Sequence, residues 1–188
     1  MPANTSIAAA IAKVVPGEKS FAVVYNGKTL GAGEHVPKAQ THAGPPELIF
    51  PIQQQQSSSG ASAPKTYLVV MLDLDAPYAS FPILGPLLHW IQPGVRATTS
   101  GSLTYTQSDP FLVDYIGASP PPGSGPHRYA FFVYEQPDGF ELKRLSTRYG
   151  SAGGQKVGAA KRVRFDLDAF EREAGLGRSL GCTYVKSN

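Results

Sequence analysis

The chain has 188 residues, which is enough for one domain and short for two. Its single cysteine, Cys182, excludes an intramolecular disulfide and a zinc site made only of cysteines, and it is typical of a protein in a reducing, cytoplasmic compartment. The 20 glycines and 17 prolines disfavour a helical bundle, whereas the 41% apolar residues are enough for a folded core. We therefore expect a single turn-rich globular domain over residues 1–188.

The charge distribution excludes some partners. The formal net charge is only +3, and no basic stripe carries interleaved aromatic residues, so we predict no nucleic-acid binding. Residues 140–188 hold ten lysines and arginines against five acidic residues, which is most simply explained by a solvated basic face, although an anionic partner or a membrane surface would also fit. No apolar run approaches the ~20 residues of a spanning helix, so no transmembrane segment is expected.

Short elements are predicted in the first third of the chain. Ile7–Lys13 indicates a short helix, and Phe21–Tyr25 followed by Asn26-Gly27 indicates a strand and a tight turn. Leu48–Phe50 lies between two prolines and predicts a further short strand. Residues 53–66 are rich in Gln and Ser, so we interpret them as a flexible loop inserted between strands.

Four apolar segments in the middle of the chain predict strands. Tyr67–Leu72 is uninterrupted, which indicates a central strand covered on both faces. Leu87–Ile91 and Val113–Ile116 are two more candidates. Arg128–Tyr134 is apolar at both its odd and its even positions, so it should also be central.

One clear helix is predicted near the end of the chain. Asp166 can cap its start, Gly175 can close it, and Leu167, Phe170 and Ala174 lie on one face at helical spacing. Because several strands precede this helix without β-α-β alternation, we predict an antiparallel, mostly β domain with small peripheral helices.

Polar side chains stand beside the predicted central strands, where a purely structural core would be apolar. They are Asp73, Asp75, His89, His127 and Tyr129. Asp73 and Asp75 alternate with Leu74, so both can point to one side, and His127 and Tyr129 share a face. A Gly/Pro loop, residues 117–126, leads into the last strand. We expect these groups to converge on one pocket that the loop walls.

Each of these features also has an ordinary structural explanation. A carboxylate after a strand is often a turn residue, a lone histidine in an apolar strand is usually a hydrogen-bonded core residue, and a Gly/Pro loop is usually only a loop. Their joint occurrence favours a pocket. Arg128 points away from His127 and Tyr129, and it needs a carboxylate partner, Asp75 or Asp73, if it is buried.

Three chemistries would fit such a pocket. Imidazoles, a tyrosine hydroxyl and loop N–H groups can donate to a phosphate or a carboxylate. Two histidines and a carboxylate can hold a metal, but the spacing matches no local metal motif, so neither a metal nor another cofactor is expected. His and Asp also permit acid–base catalysis, although no Ser nucleophile motif is present and Cys182 is better explained as a small buried hydrophobe.

Two motifs give the chain a family resemblance. Asp73-Leu74-Asp75-Ala76-Pro77 and Gly125-Pro126-His127-Arg128, with His89 between them, resemble the phosphatidylethanolamine-binding protein family. That family includes Raf kinase inhibitor proteins, plant flowering regulators and fungal carboxypeptidase Y inhibitors. The similarity is specific over residues 73–136 and generic outside them.

The resemblance implies a β-sandwich-like fold with one small anion pocket. It implies that the ligand contacts Asp73, His89, Pro121, His127 and Tyr129, and that the pocket is supported by Asp75, Pro77, Gly117, Gly125 and Arg128. In particular, it implies an Asp75–Arg128 pair and a cis Ala76–Pro77 bond.

Several positions depart from the family pattern. Leu74 replaces a proline, which removes a backbone restraint at the pocket edge. Ser119 stands where many members have glycine, and Tyr78-Ala79-Ser80 replaces a Ser-Arg pair that partners could contact. Animal members continue into a helix that covers the pocket, whereas this sequence ends at Asn188, so a more open pocket is expected.

The resulting functional hypothesis is a non-enzymatic cytoplasmic regulator that binds phosphate or a phospholipid head group and modulates a partner enzyme, a protease or a kinase. One alternative is a serine carboxypeptidase inhibitor that acts through its surface. A second alternative is a weak His/Asp hydrolase, for which the sequence offers no nucleophile.

Overall fold

The computed structural model describes residues 4–51, 65–106, 108–150 and 155–188. The predicted insertion of residues 53–66 lies outside these ranges except for Lys65 and Thr66, and Thr66 already begins a strand. The strands are β1 (Ala22–Tyr25), β2 (Lys28–Leu30), β3 (Glu47–Ile49), β4 (Thr66–Asp73), β5 (Leu87–Ala97), β6 (Ser102–Thr104), β7 (His127–Glu135) and β8 (Gly181–Ser187). The α-helices are α1 (Thr5–Ile11), α2 (Lys38–Thr41), α3 (Leu142–Arg148) and α4 (Leu167–Ala174).

The described strands form one antiparallel sheet in the order β2-β1-β3-β6-β5-β4-β7-β8. The mostly β prediction is therefore confirmed. β4 lies between β5 and β7, and every residue from Tyr67 to Asp73 is buried. Leu87 of β5 and Tyr129 of β7 both pair with Asp73, which brings the polar residues of three strands to one end of the sheet.

Two apolar cores cover the two faces of the central strands. Phe131 and Val133 of β7 pack in one core with residues of β1 and β3, while Phe132 packs in the other core with Phe170 of α4. This division explains why β7 is apolar at both its odd and its even positions.

The sheet curls so that its two ends approach each other, which gives the expected sandwich-like form. Phe50, just after β3, packs directly against Gly181 of β8, where any side chain would collide with the ring. The N–H of Gly33 donates to the Tyr184 carbonyl at 2.7 Å, and the N–H of Lys186 donates to the Glu34 carbonyl at 2.9 Å. The edge of β8 is thus covered by the segment after β2.

The C-terminal helix follows its sequence signals. The Asp166 side chain accepts a hydrogen bond from the Ala169 N–H at 2.8 Å, and Gly175 ends α4 with a left-handed backbone at φ 66°. An N-cap of this kind is worth about 1 kcal/mol. None of the described helices has the length and apolar content needed to cross a bilayer.

Two element predictions were wrong or incomplete. Val113–Ile116 is not a strand: only Val113 forms an isolated bridge, to Ile91, because the Asp114 carboxylate binds Arg162 and the Val157 N–H instead of facing a neighbouring strand. Helix α3 was not predicted, since it is only seven residues long and only one of them, Leu145, is buried.

Candidate anion-binding site

Asp73 and His127 meet where β4 ends and β7 begins. The His127 Nδ1 atom lies 2.8 Å from Asp73 Oδ2, and the other carboxylate oxygen accepts the Asp75 N–H at 2.9 Å. Both side chains are buried. Because a carboxylate accepts, Nδ1 of His127 carries the hydrogen of this bond, and Nε2 of the neutral ring is left with a lone pair.

His89 is held in the same way by a different acceptor. Its Nδ1 atom lies 2.9 Å from the Ile116 carbonyl oxygen, which can only accept, so Nδ1 again carries the hydrogen. Burial lowers the pKa of His89 to about 4, in spite of the Ile116 carbonyl and the Asp73 charge, which favour the protonated ring. His89 is therefore neutral near pH 7, and its Nε2 is also an acceptor.

Tyr129 brings the only hydroxyl of the cluster. Its ring centroid lies 5.1 Å from that of His89 in an edge-to-face arrangement and 6.4 Å from that of His127 in a stacked one. Burial raises the pKa of the Tyr129 hydroxyl well above its usual range, and the nearby Asp73 carboxylate adds to the rise. The hydroxyl therefore keeps its proton and can donate it in a hydrogen bond.

Three buried polar atoms of this cluster form no hydrogen bond of good geometry with the residues that the structure describes: Nε2 of His89, Nε2 of His127 and Oη of Tyr129, although the Tyr129 hydroxyl lies near the Ser119 main chain and the Asp73 carboxylate. Buried polar atoms are nearly always paired, and leaving one unpaired costs about 1–3 kcal/mol. Three such atoms on contacting rings therefore form a set of unused hydrogen-bonding groups that a small polar ligand would satisfy.

Asp75 stabilises the site through hydrogen bonds to Arg128, the residue that follows His127. Its carboxylate accepts from the N–H of Arg128 at 2.8 Å and from Nε and Nη2 of that guanidinium at 2.9 and 2.7 Å. Burial alone would raise the pKa of Asp75, but the Arg128 hydrogen bonds outweigh it and lower the pKa. The expectation that Asp73 and Asp75 point to one side was wrong, because β4 ends at Asp73 and the chain bends before Asp75.

The Gly/Pro loop is fixed by contacts with α2. Thr41 Oγ1 accepts the Ala118 N–H at 2.8 Å, and His42 Nε2 lies 2.8 Å from the Ala118 carbonyl oxygen. A Cβ on Gly117 would lie 2.8 Å from the Thr41 carbonyl oxygen, so only glycine fits there. Sequence reasoning missed Thr41 and His42, since nothing in the short α2 segment indicates a contact with a loop 76 residues away.

Two of the other residues predicted to support the pocket, Pro77 and Gly125, have unusual backbone conformations. The Ala76–Pro77 bond is cis, as the resemblance implied, and Gly125 has a left-handed φ of 75°. Pro121 lies half-buried in the same loop, where its carbonyl accepts the Ser124 N–H at 3.1 Å. Contact between Pro121 and a ligand stays a prediction.

Arg162 is a buried cation behind His89 that sequence reasoning did not find. Its Nη1 donates to the carbonyls of Leu88, His89 and Asp114 at 3.1–3.3 Å, and Nη2 donates to the Asp114 carboxylate at 2.5 Å. Arg162 is only 3% exposed. In the sequence it belongs to the basic C-terminal segment, which was interpreted as a solvated face. Its charge further disfavours protonation of His89.

The cluster is covered in this structure. The three unpaired atoms have almost no solvent exposure, and the two cavities described, of about 720 and 390 Å³, are lined by neither histidine. The expectation of an open pocket was therefore wrong.

Metal and nucleophile alternatives can be compared with the same geometry. Within the described ranges, no group of three or more His, Cys, Asp or Glu side chains is arranged to hold a metal ion. Cys182 lies on β8, and burial raises the pKa of its thiol far above the usual range, which makes it a poor nucleophile.

Known proteins are similar to this chain in sequence. The phosphatidylethanolamine-binding protein family model matches residues 24–174. Phomoidride biosynthesis cluster protein N of Talaromyces stipitatus is 31% identical over 116 residues, and the carboxypeptidase Y inhibitor of Saccharomyces cerevisiae is 30% identical over 145 residues. These matches cover 61% and 67% of this chain but 54% and 66% of the relatives, so less than two thirds of each relative is spanned.

Solved structures share the fold at low sequence identity. A carboxypeptidase Y inhibitor complexed with its cognate proteinase has a TM-score of 0.64 at 22% identity, with 89% of this chain and 82% of that one covered. A phosphatidylethanolamine-binding protein from Plasmodium vivax has a TM-score of 0.60 at 19% identity, with 100% and 97% covered.

Proposed function

Since the chain belongs to the phosphatidylethanolamine-binding protein family, we propose that it is a non-enzymatic binding protein for a small anion, phosphate or a phospholipid head group. The ligand would contact His89, His127 and Tyr129, while Asp73 and the Asp75–Arg128 pair hold the site in place. We also propose that residues 1–188 form a single domain.

The observation that carries this proposal is the set of three buried, unpaired polar atoms on the His89, His127 and Tyr129 rings. Only the tyrosine hydroxyl can donate while both rings are neutral, because each histidine presents the lone pair of Nε2. An anion offers acceptors and no donors unless it is itself protonated. A fully ionised anion would otherwise face two nitrogen lone pairs, so we expect at least one of the two rings to take up a proton when it binds.

His127 is the better placed of the two rings to accept that proton. Its Nδ1 already bonds the Asp73 carboxylate, whose negative charge stabilises an imidazolium. Burial and the nearby Arg162 cation, in contrast, disfavour protonation of the His89 ring. The other ionisable groups around the rings are Tyr129, which keeps its proton, and Asp75, which Arg128 neutralises.

We expect anion affinity to rise as the pH falls from 8 to 6. Protonation creates the donor that the anion needs, so the gain reaches up to about tenfold per pH unit while the ring is neutral in the free protein. Calorimetric titration with sulfate, which stays a dianion across this range, measures the effect without titration of the ligand. Affinity that is flat or that falls toward pH 6 would contradict the proposal.

A second candidate function is inhibition of a serine carboxypeptidase through the protein surface. It is supported by the 30% identity to a carboxypeptidase Y inhibitor and by an exposed apolar loop. In that loop Phe81 is 61% exposed, and Tyr78, Ile83 and Leu84 are each about 40% exposed. Exposed apolar patches of this kind often contact protein partners. A kinase partner remains a prediction from the resemblance.

Inhibition of carboxypeptidase Y is the direct test of this second function. We expect wild type to inhibit the enzyme and Phe81→Ser to weaken inhibition by about tenfold, as loss of one buried aromatic contact would. Lys143→Gln, an exposed change on α3, is the control. Absence of inhibition by wild type, or equal inhibition by both variants, would exclude the apolar loop as the inhibitory surface.

A further inference from the structure

A cavity of about 720 Å³ lies between α1, the segment leading into β1 and the start of β8. Its volume falls within the range of about 300–1,000 Å³ typical of small-molecule sites. Neither histidine of the anion cluster lines it. Among its lining residues are Lys13, Val15, Phe21, Phe50, Arg178 and Leu180.

The apolar part of this cavity reaches the surface. Val15 is 59% exposed and Leu180 is 49% exposed, and both line the cavity. The Phe21 and Phe50 rings pack edge to face at 4.9 Å beside them. Large apolar side chains exposed around a concavity indicate that an aliphatic group can be covered there.

The acidic side chains that line the cavity have hydrogen-bond partners, whereas two basic ones do not. Glu171 accepts hydrogen bonds from the Tyr134 and Ser6 hydroxyls, and Glu18 accepts one from Ser20. The side chains of Lys13 and Arg178, in contrast, are exposed and make no hydrogen bond or ion pair with any residue that the structure describes. The cavity therefore offers unused cationic donors while its carboxylates are already engaged.

Thr183 lines the cavity, and its hydroxyl is buried with no hydrogen-bond partner among the described residues. We propose that this cavity binds a small amphipathic organic anion, an aliphatic carboxylate, with its carboxylate at Lys13 and Arg178. The aliphatic chain of this ligand lies against Val15 and Leu180. This site is independent of the proposed anion site at His127.

Decanoate is a suitable probe because it joins one carboxylate to an aliphatic chain. We expect saturable calorimetric binding of decanoate to wild type and at least tenfold weaker binding to the Lys13→Gln/Arg178→Gln double variant, since that variant loses the charge-assisted hydrogen bonds to the carboxylate. Both substitutions are at exposed positions, so the fold is retained. The Lys28→Gln/Lys143→Gln double variant lowers the net charge equally and should bind as wild type does.

Three results would overturn this inference. They are absence of saturable decanoate binding, equal weakening in both double variants, and loss of decanoate binding in His127→Ala, which would place the ligand in the anion site. Decanol, which lacks the carboxylate, should bind more weakly than decanoate to wild type. Amide chemical shifts of Leu180 and Thr183 should move during the decanoate titration, whereas those of His89 and His127 should not.

Discussion

His127→Ala should weaken phosphate binding by about 10- to 100-fold at pH 6, the expected consequence of losing a charge-assisted hydrogen bond of about 1.5–3 kcal/mol. His127 is the ring that Asp73 holds with Nδ1 protonated, so its Nε2 becomes the donor to the anion once the ring is charged. Titration calorimetry of phosphate and of O-phosphorylethanolamine into both proteins measures the difference.

Two further variants make this result specific. His35→Ala removes an exposed histidine that contacts Asn188, so it should leave phosphate affinity unchanged. Tyr129→Phe removes only the unpaired hydroxyl and keeps the ring packed between the histidines, so it should weaken binding without destabilising the fold. If His127→Ala and Tyr129→Phe both bound phosphate as wild type does, the anion would lie elsewhere.

Arg162→Met should lower the free energy of unfolding by about 3–5 kcal/mol, the usual consequence of removing one partner of a buried ion pair. The change would leave the Asp114 carboxylate without its cation and four main-chain carbonyls without their donor. Urea unfolding followed by circular dichroism gives the value. Because Arg162 also bonds the His89 carbonyl, the variant should bind phosphate more weakly even where it is still folded.

The comparison variant is Arg148→Met. Arg148 pairs with Glu173 at 3.0 Å on the surface, where its side chain is 66% exposed, so its loss should cost less than about 1 kcal/mol. Similar stability losses in the two variants would show that Arg162 is not the structural support that its contacts indicate.

Sequence patterns predicted the parts of the fold that depend on local or periodic signals. The apolar runs around Val70 and Phe131 predicted central strands because both of their faces are buried, and Asp166 and Gly175 marked the ends of α4. The strand prediction for Val113–Ile116 was wrong because this segment packs against the core without regular strand pairing. The contact of Asp114 with Arg162, which is distant in the sequence, holds it in this irregular conformation.

The candidate site was predictable in its members and less so in its geometry. The two motifs identified the Asp73, His127, Asp75 and Arg128 side chains, and the structure brings them together in two pairs. Spacing could not give the bend after Asp73 that separates the two carboxylates. It also could not show that Ile116 fixes the His89 ring, because that contact joins residues 27 positions apart through a loop.

Proton uptake on anion binding tests the central claim most directly. Sulfate titrations at pH 8 in two buffers that differ in ionisation enthalpy give the number of protons taken up by the complex. The two acceptor nitrogens at His89 and His127 predict a net uptake of protons when sulfate binds, reduced in His127→Ala. Saturable sulfate binding to wild type with no proton uptake would contradict the account, because neutral histidines held as these are have no hydrogen to donate.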